Sequence, residues 1–137
     1  MKMNNYRLFS DKNITAMETV ELYNSVGWEF AKQDGKEFID KVLENTTAIC
    51  YVRNDSSLLI GLVRIFSDYF ITTYISEIVV HNEYQQKGIG RLLMEKVKIE
   101  FNNTSIFFES LPGTEGFAEK CGFRKQKGMS VYSKRSN

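Results

Sequence analysis

Proline is almost missing from the 137 residues, Pro112 being the only one. No Gly/Ser-rich linker, internal repeat or low-complexity segment accompanies it, so nothing marks a domain boundary and residues 1–137 read as one domain. Net charge is scarce too: 18 Lys and Arg stand against 17 Asp and Glu, for a balance of +1. That removes the electrostatic reason to expect nucleic acid or an anionic membrane as partner. No apolar run approaches bilayer-spanning length, and the opening MKMNNYRLF has no signal-peptide apolar core. The two cysteines, Cys50 and Cys121, and the one histidine, His81, show no metal-ligand spacing, so no metal is expected. Both cysteines read as reduced core thiols of a cytoplasmic protein.

What is present is ordinary for a globular protein with its own core: 42% hydrophobic and 26% charged residues. Asn5–Ser10 opens as a strand, and Thr15–Val26 as a helix with Met17, Val20, Leu22 and Tyr23 as apolar positions and Gly27 as its stop. Trp28 and Phe30 follow, an aromatic pair that packs as a lid or walls a substrate pocket. A second helix spans Lys36–Leu43, with Phe38, Ile39, Val42 and Leu43 on one side. Strands are predicted at Thr47–Arg53 and Leu58–Phe66, joined by an Asn54-Asp55-Ser56 turn, with Gly61 marking a bulge or close approach. Thr104–Ser110 is a further strand and Thr114–Lys120 a short helix stopped by Gly122. Phe123–Tyr132 is predicted to finish as a hairpin bent at Gln126-Lys127-Gly128.

The chain is organised around Tyr74–Phe101. Ile75–Val80 is apolar and β-branched apart from Ser76 and Glu77, as a mostly buried strand is. Gln85-Gln86-Lys87-Gly88-Ile89-Gly90 follows, and Ile89, Leu92, Leu93 and Val97 then recur at helical spacing. Strand, glycine-bearing turn and helix meet within a few residues, which aims backbone N–H groups at one spot at the positive end of a helix dipole. Such a spot binds phosphate. A P-loop is excluded because Gly90 is followed by Arg91-Leu92, and a dinucleotide fingerprint because position 93 is leucine.

The remaining pattern, Gln-x-x-Gly-x-Gly between Val79-Val80 with Tyr84 and Leu92-Leu93, resembles the acetyl-CoA motif of the GCN5-related N-acetyltransferases, the GNAT family. Phe117–Phe123 resembles that family's second signature, and the predicted order βααβββαβαββ matches nearly end to end. Leu62–Asp68 and Gly128-Met129 look like a subgroup of small amine acetyltransferases that includes plant serotonin-acetyltransferase-like enzymes. The resemblance implies a mixed α+β fold: a twisted mixed sheet, helices on both faces, and a V-shaped opening beside Ile78–Val80. It also implies acetyl-CoA as cosubstrate, a small primary amine as acceptor and, by analogy, a homodimer. A protein N-terminus or lysine is the alternative acceptor.

The chemistry places the donor's arm along Ile78, Val79 and Val80 and its pyrophosphate on the turn formed by Gln85, Gln86, Lys87, Gly88, Ile89, Gly90 and Arg91. The backbone N–H of Val80 is the candidate oxyanion donor. Glu77 and Glu109, on the two central strands, are base candidates, with Asp68 and Arg64 as further polar residues; His81 reads as a loop residue. Alternation places Ile78 and Val80 on one face and Glu77 with Val79 on the other, unless a bulge intervenes. The family's tyrosine acid is replaced by Ala118. Tyr74 and Tyr132 are the candidate substitutes, with water as the other source. The same alanine is what a non-catalytic acyl-CoA-binding module would carry.

Overall fold

The computed structural model describes residues 5–28 and 30–136. The side chain of Phe30, expected beside Trp28, lies outside the described residues. In chain order the elements are β1 (Arg7–Phe9), α1 (Ala16–Ser25), α2 (Phe30–Glu44), β2 (Ala48–Arg53), β3 (Leu59–Ser67), β4 (Thr72–Val80), a 3-10 turn (Asn82–Tyr84), α3 (Ile89–Glu100), β5 (Ser105–Phe107) and α4 (Glu115–Lys120). The strands form one sheet in the order β1-β2-β3-β4-β5. Every pairing is antiparallel except β4 with β5, which is parallel because the crossover helix α3 joins them.

The helices form where their ends are supplied with partners. Thr15 caps α1 and forms a reciprocal capping box with Glu18, which satisfies two amides that a helix start leaves open. Gly27, at φ 80°, turns the chain out of α1 in the left-handed conformation that glycine adopts without strain. Gly35 breaks α2 with φ 65° and ψ −157°, so the predicted helix from Lys36 is its second limb.

Strand alternation divides the core between the two faces of the sheet. On one face Cys50, Val52, Val63, Ile65 and Ile75 meet Ile89, Leu93, Met94, Val97 and Phe101 of α3 and its cap. On the other, Ile49, Tyr51, Leu62 and Val79 meet Ala16, Leu22 and Tyr23 of α1 with Ile39 and Leu43 of α2. Met17, an expected apolar contact of α1, is 64% exposed; Ala16 and Thr19 take the buried places instead. Gly61 lets α3 sit directly on β3, since a Cβ there would lie 2.9 Å from Ile89 Cγ2 and 3.2 Å from Leu93 Cδ1. Gly61→Ala should therefore destabilise the fold by about 1–3 kcal/mol, as overpacking does. Denaturant unfolding checks this, and an unchanged midpoint would contradict the close packing of α3 on β3.

The carboxyl end departs from expectation. The hairpin over Phe123–Tyr132 does not form: residues 122–136 contain no strand, and 124–136 are exposed throughout. The turn is present in outline, with Met129 N–H donating to the Gln126 carbonyl at 3.3 Å. Among the described residues no sheet strand pairs with it, and an isolated two-stranded ribbon in water is marginal. β5 is also shorter than predicted, because the chain parts from β4 after Phe107.

Candidate active site

Hydrogen bonding directs which backbone groups face the gap between β4 and β5. Their pairing runs only from Thr72↔Ser105 to Tyr74↔Phe107, while β4 continues to Val80. Against β3, Val80 pairs with Gly61, and the bond that flanks the pair is His81 N–H to the Ile60 carbonyl at 2.9 Å. That pattern makes Val80·Gly61 a non-hydrogen-bonded pair, so the N–H and C=O of Val80 point away from β3. By alternation those of Ile78 do the same. Both therefore open towards the gap, where a strand would otherwise lie. Gln85 Nε2 donates to the Val80 carbonyl at 3.0 Å, leaving the Val80 N–H available.

The turn after β4 ends in Gly88, the cap of α3, with φ 85° and ψ 6° and no side-chain cap. The first intrahelical bond reaches Gly88 itself, from Leu92 N–H at 3.0 Å. Among the described residues, the N–H groups of residues 86–91 find no acceptor. A Cβ on Gly88 would have nothing within 4 Å, so the space above these amides is open. Lys87 and Arg91 flank it and form no ion pair among the described residues. Six backbone donors, a helix N-terminus and two cations without a carboxylate partner, one of them Lys87 over the Tyr84 ring at 5.6 Å, fit a diphosphate. Gly90 has a different reason to be small: a Cβ there would lie 3.1 Å from the Phe117 ring of α4.

A β-bulge sets the side chains. Arg64 pairs with Glu77 and Ile65 with Ile75, so Ser76 is the extra residue in β4. Past the bulge, Glu77 and Val79 face α1 as alternation predicts, and Tyr74 shares that face. Glu77 is held from both sides. Arg64 Nη2 donates to its Oε1 at 2.8 Å, and the Tyr23 hydroxyl donates to Oε2. Arg64 is anchored in turn on Thr46 Oγ1 at 2.9 Å and Ser76 Oγ at 3.3 Å. Burial pulls the Arg64 pKa down, but the bond to Glu77 and its charge more than offset this. Burial, then the Glu77 charge, push the Tyr23 phenol up, so it keeps its proton and remains a donor. The pair is only 13% and 15% exposed, and Arg64 Nε lacks a hydrogen-bond partner.

Tyr74 and Glu109 also meet, the phenol donating to Glu109 Oε1 at 2.9 Å across the point where the strands part. Burial, then that bond, raise the Tyr74 pKa, and the phenol stays protonated. Tyr132 does not join them; it is 92% exposed on the unpaired carboxyl segment. His81 accepts from Glu83 N–H at 3.1 Å and caps the 3-10 turn, the loop role expected of it. Asp68 folds the β3–β4 turn, its Oδ1 accepting from Phe70, Ile71 and Thr72 amides. Ala118 is half-buried on α4, next to the Phe117 that touches Gly90. Tyr23 was legible only as a core position of α1; its partner stands 54 residues away, with no local signal.

A splayed parallel strand pair beside an open, amide-lined helix start defines an acyltransferase of the GNAT class. The chain belongs to that family: the profile of the Acetyltransferase (GNAT) domain matches residues 22–135, and the protein is an acetyltransferase. An uncharacterised N-acetyltransferase, ycf52, of Pyropia yezoensis is 30% identical over 137 residues, covering 91% of this chain and 76% of that protein. The fold is shared with a probable acetyltransferase of Staphylococcus aureus (TM-score 0.76, 20% identity, 95% and 99% coverage). It is shared also with the aminoglycoside N-acetyltransferase AAC(6')-Iy, solved with CoA (TM-score 0.71, 14% identity, 98% of each chain).

Proposed function

We propose that the protein transfers an acetyl group from acetyl-CoA to the primary amine of a small molecule, both substrates being bound together in one cytoplasmic domain. One observation carries the reading: the backbone groups of Ile78 and the N–H of Val80 open into the splay directly before the acceptor-free amides of residues 86–91. A fold neighbour that acts on aminoglycosides and binds CoA supports the donor and the acceptor class. So does the small-amine subgroup that Leu62–Asp68 resembles.

Acetyl-CoA, when bound, supplies an acyl group already activated as a thioester. The amides of residues 86–91, with Lys87 and Arg91, hold the diphosphate. Ile78–Val80 hold the arm in place of a strand. The N–H of Val80 and, nearer the bulge, that of Ile78 face the negative charge that builds on the carbonyl oxygen. Glu77 takes the proton from the amine, positioned by Tyr23 and Arg64. Tyr74 and Glu109 fasten the floor of the cleft where the strands part. Water protonates the departing thiolate, which needs less help than an amine would.

The test is thiol release over a panel of small amines and lysine peptides. The protein's own thiols are silent at neutral pH, because burial and the nearby Glu100 push Cys50 up to about 12 and burial raises Cys121. Thiol release with peptides alone would overturn the acceptor class. Two substitutions address the missing acid. Ala118→Tyr should raise kcat, by up to about tenfold of the ~10²–10⁴ that general acid catalysis supplies. Tyr132→Phe should change nothing, and a slowed Tyr132→Phe enzyme would return that phenol to the site.

A further inference from the structure

The acceptor side of the cleft carries a second carboxylate whose charge the transfer chemistry does not use. Phe107 is level with Tyr74 in the parallel ladder, so Glu109, two residues on, stands level with Ser76 and Glu77 across the gap. Tyr74 donates to Glu109 Oε1 at 2.9 Å, which brings that carboxylate to the α1 side of the sheet, where Glu77 also lies. Glu109 Oε2 accepts no hydrogen bond among the described residues, and Glu109 forms no ion pair there. The two acids are therefore unlike. Arg64 neutralises Glu77, whereas Glu109 is exposed and keeps an uncompensated charge.

The floor between them is aromatic. Phe66 on β3 and Phe107 on β5 both pair with Tyr74, so three rings form one row across the sheet. Phe66 and Phe107 are each 38% exposed, on a face that α1 and α2 cover elsewhere. Arg64 lies over Phe66, its guanidinium carbon 5.8 Å from the ring centroid, which leaves Tyr74 and Phe107 nearest the gap. Glu77 leans towards β3 and α1, where Arg64 and Tyr23 hold it, while Glu109 stands beyond β4 on the β5 side. One to two strand spacings separate carboxylates so placed, roughly 5–10 Å. An apolar floor suits methylenes, and an uncompensated carboxylate beside ring faces suits an ammonium.

We propose that the acceptor is a diamine, one nitrogen reacting at Glu77 while the other, still an ammonium, rests on Glu109 with the methylenes over Tyr74 and Phe107. The inference rests on the acetyl transfer proposed above and names the acceptor class of that site. The balance of the step is simple. Glu77 takes a proton from the near nitrogen, a C–N bond forms at the thioester carbon, the C–S bond breaks, and water protonates the thiolate. The product has lost one positive charge and keeps the other. A monoamine of equal length reacts in the same way without the second anchor. The distal contact is made alike before and during the reaction, so it lowers KM and leaves kcat nearly unchanged.

Putrescine, cadaverine and hexamethylenediamine, set against butylamine, pentylamine and hexylamine, test this by thiol release and by calorimetry on the CoA-bound protein. Each diamine should show a KM and a Kd at least about tenfold below those of its matched monoamine, the scale of one charge-assisted contact. In Glu109→Gln the amide oxygen still accepts from Tyr74, and the diamine values should rise to meet those of the monoamines. Glu109→Lys should reverse the preference and admit γ-aminobutyrate, whose distal group is an anion. Glu115→Gln, at an exposed acid of α4, should leave the preference in place, which separates the contact from general attraction to acidic protein. Equal constants for diamines and monoamines would overturn the proposal, as would a preference that survives Glu109→Gln. Absence of thiol release with every amine would remove the transfer reading instead, and the calorimetric comparison would still decide whether the cleft selects a second cation.

Discussion

Gly88→Asp should leave the domain folded and abolish measurable acetyl-CoA binding, raising Kd at least about 100-fold, or roughly 2.7 kcal/mol. The two effects separate because of what position 88 is. Its φ of 85° is left-handed, a conformation that aspartate tolerates better than most residues. It is also the cap of α3, where a carboxylate accepts from open amides and suits the helix dipole. Folding thus loses little through strain and regains much through capping, and the melting temperature should fall by no more than about 2 °C. The same carboxylate, however, takes the amides that the diphosphate needs and repels it. Calorimetry on the folded variant decides, and unchanged affinity would remove the diphosphate from this turn. Gly90→Val is a poorer probe, since its Cβ would meet Phe117 at 3.1 Å and disturb packing as well as binding.

Glu77→Gln should lower kcat/KM by about 10²–10⁴, the range that a positioned general base supplies. It should also destabilise the fold, because Arg64 would keep its charge in a site only 13% exposed; removing one partner of a buried pair costs about 3–5 kcal/mol. Glutamine still accepts from Arg64 and Tyr23, so the loss should fall at or below the lower end. The two consequences are distinguished by comparing stability with rate. Tyr23→Phe is the companion test: it keeps the ion pair and removes one hydrogen bond to Glu77 Oε2, so kcat should fall far less than in Glu77→Gln. A folded Glu77→Gln enzyme with the wild-type kcat/KM would exclude Glu77 as base.

Much of this architecture was legible without coordinates. The Gln85–Gly90 turn, the strand before it and the periodic helix after it sit next to one another in the chain, and backbone conformation there follows from neighbours a few residues apart. The parallel step from β4 to β5 followed from the length of the crossover, and the face of Glu77 from two-residue alternation. The alternation survived because the bulge at Ser76 lies before Glu77 rather than after it. Had the extra residue fallen at Ile78, the same reading would have aimed Val80 at the wrong core.

The order of elements up to α4 and the glycine-bearing turn before α3 were thus determined by the sequence alone, through local propensity and spacing, and the family by the resemblance of its motifs. The tertiary structure decided the rest. It joined Tyr23, Arg64 and Glu77, residues from three elements; it gave Gly90 to Phe117; and it left Tyr132 and the carboxyl segment outside the body of the chain. Such contacts depend on which faces of distant elements meet, and a face is only a list of apolar or polar positions until something packs against it. The hairpin at Phe123–Tyr132 shows the limit. Its residues were read as two strands, but a strand needs a neighbour, and no local pattern states whether the fold supplies one.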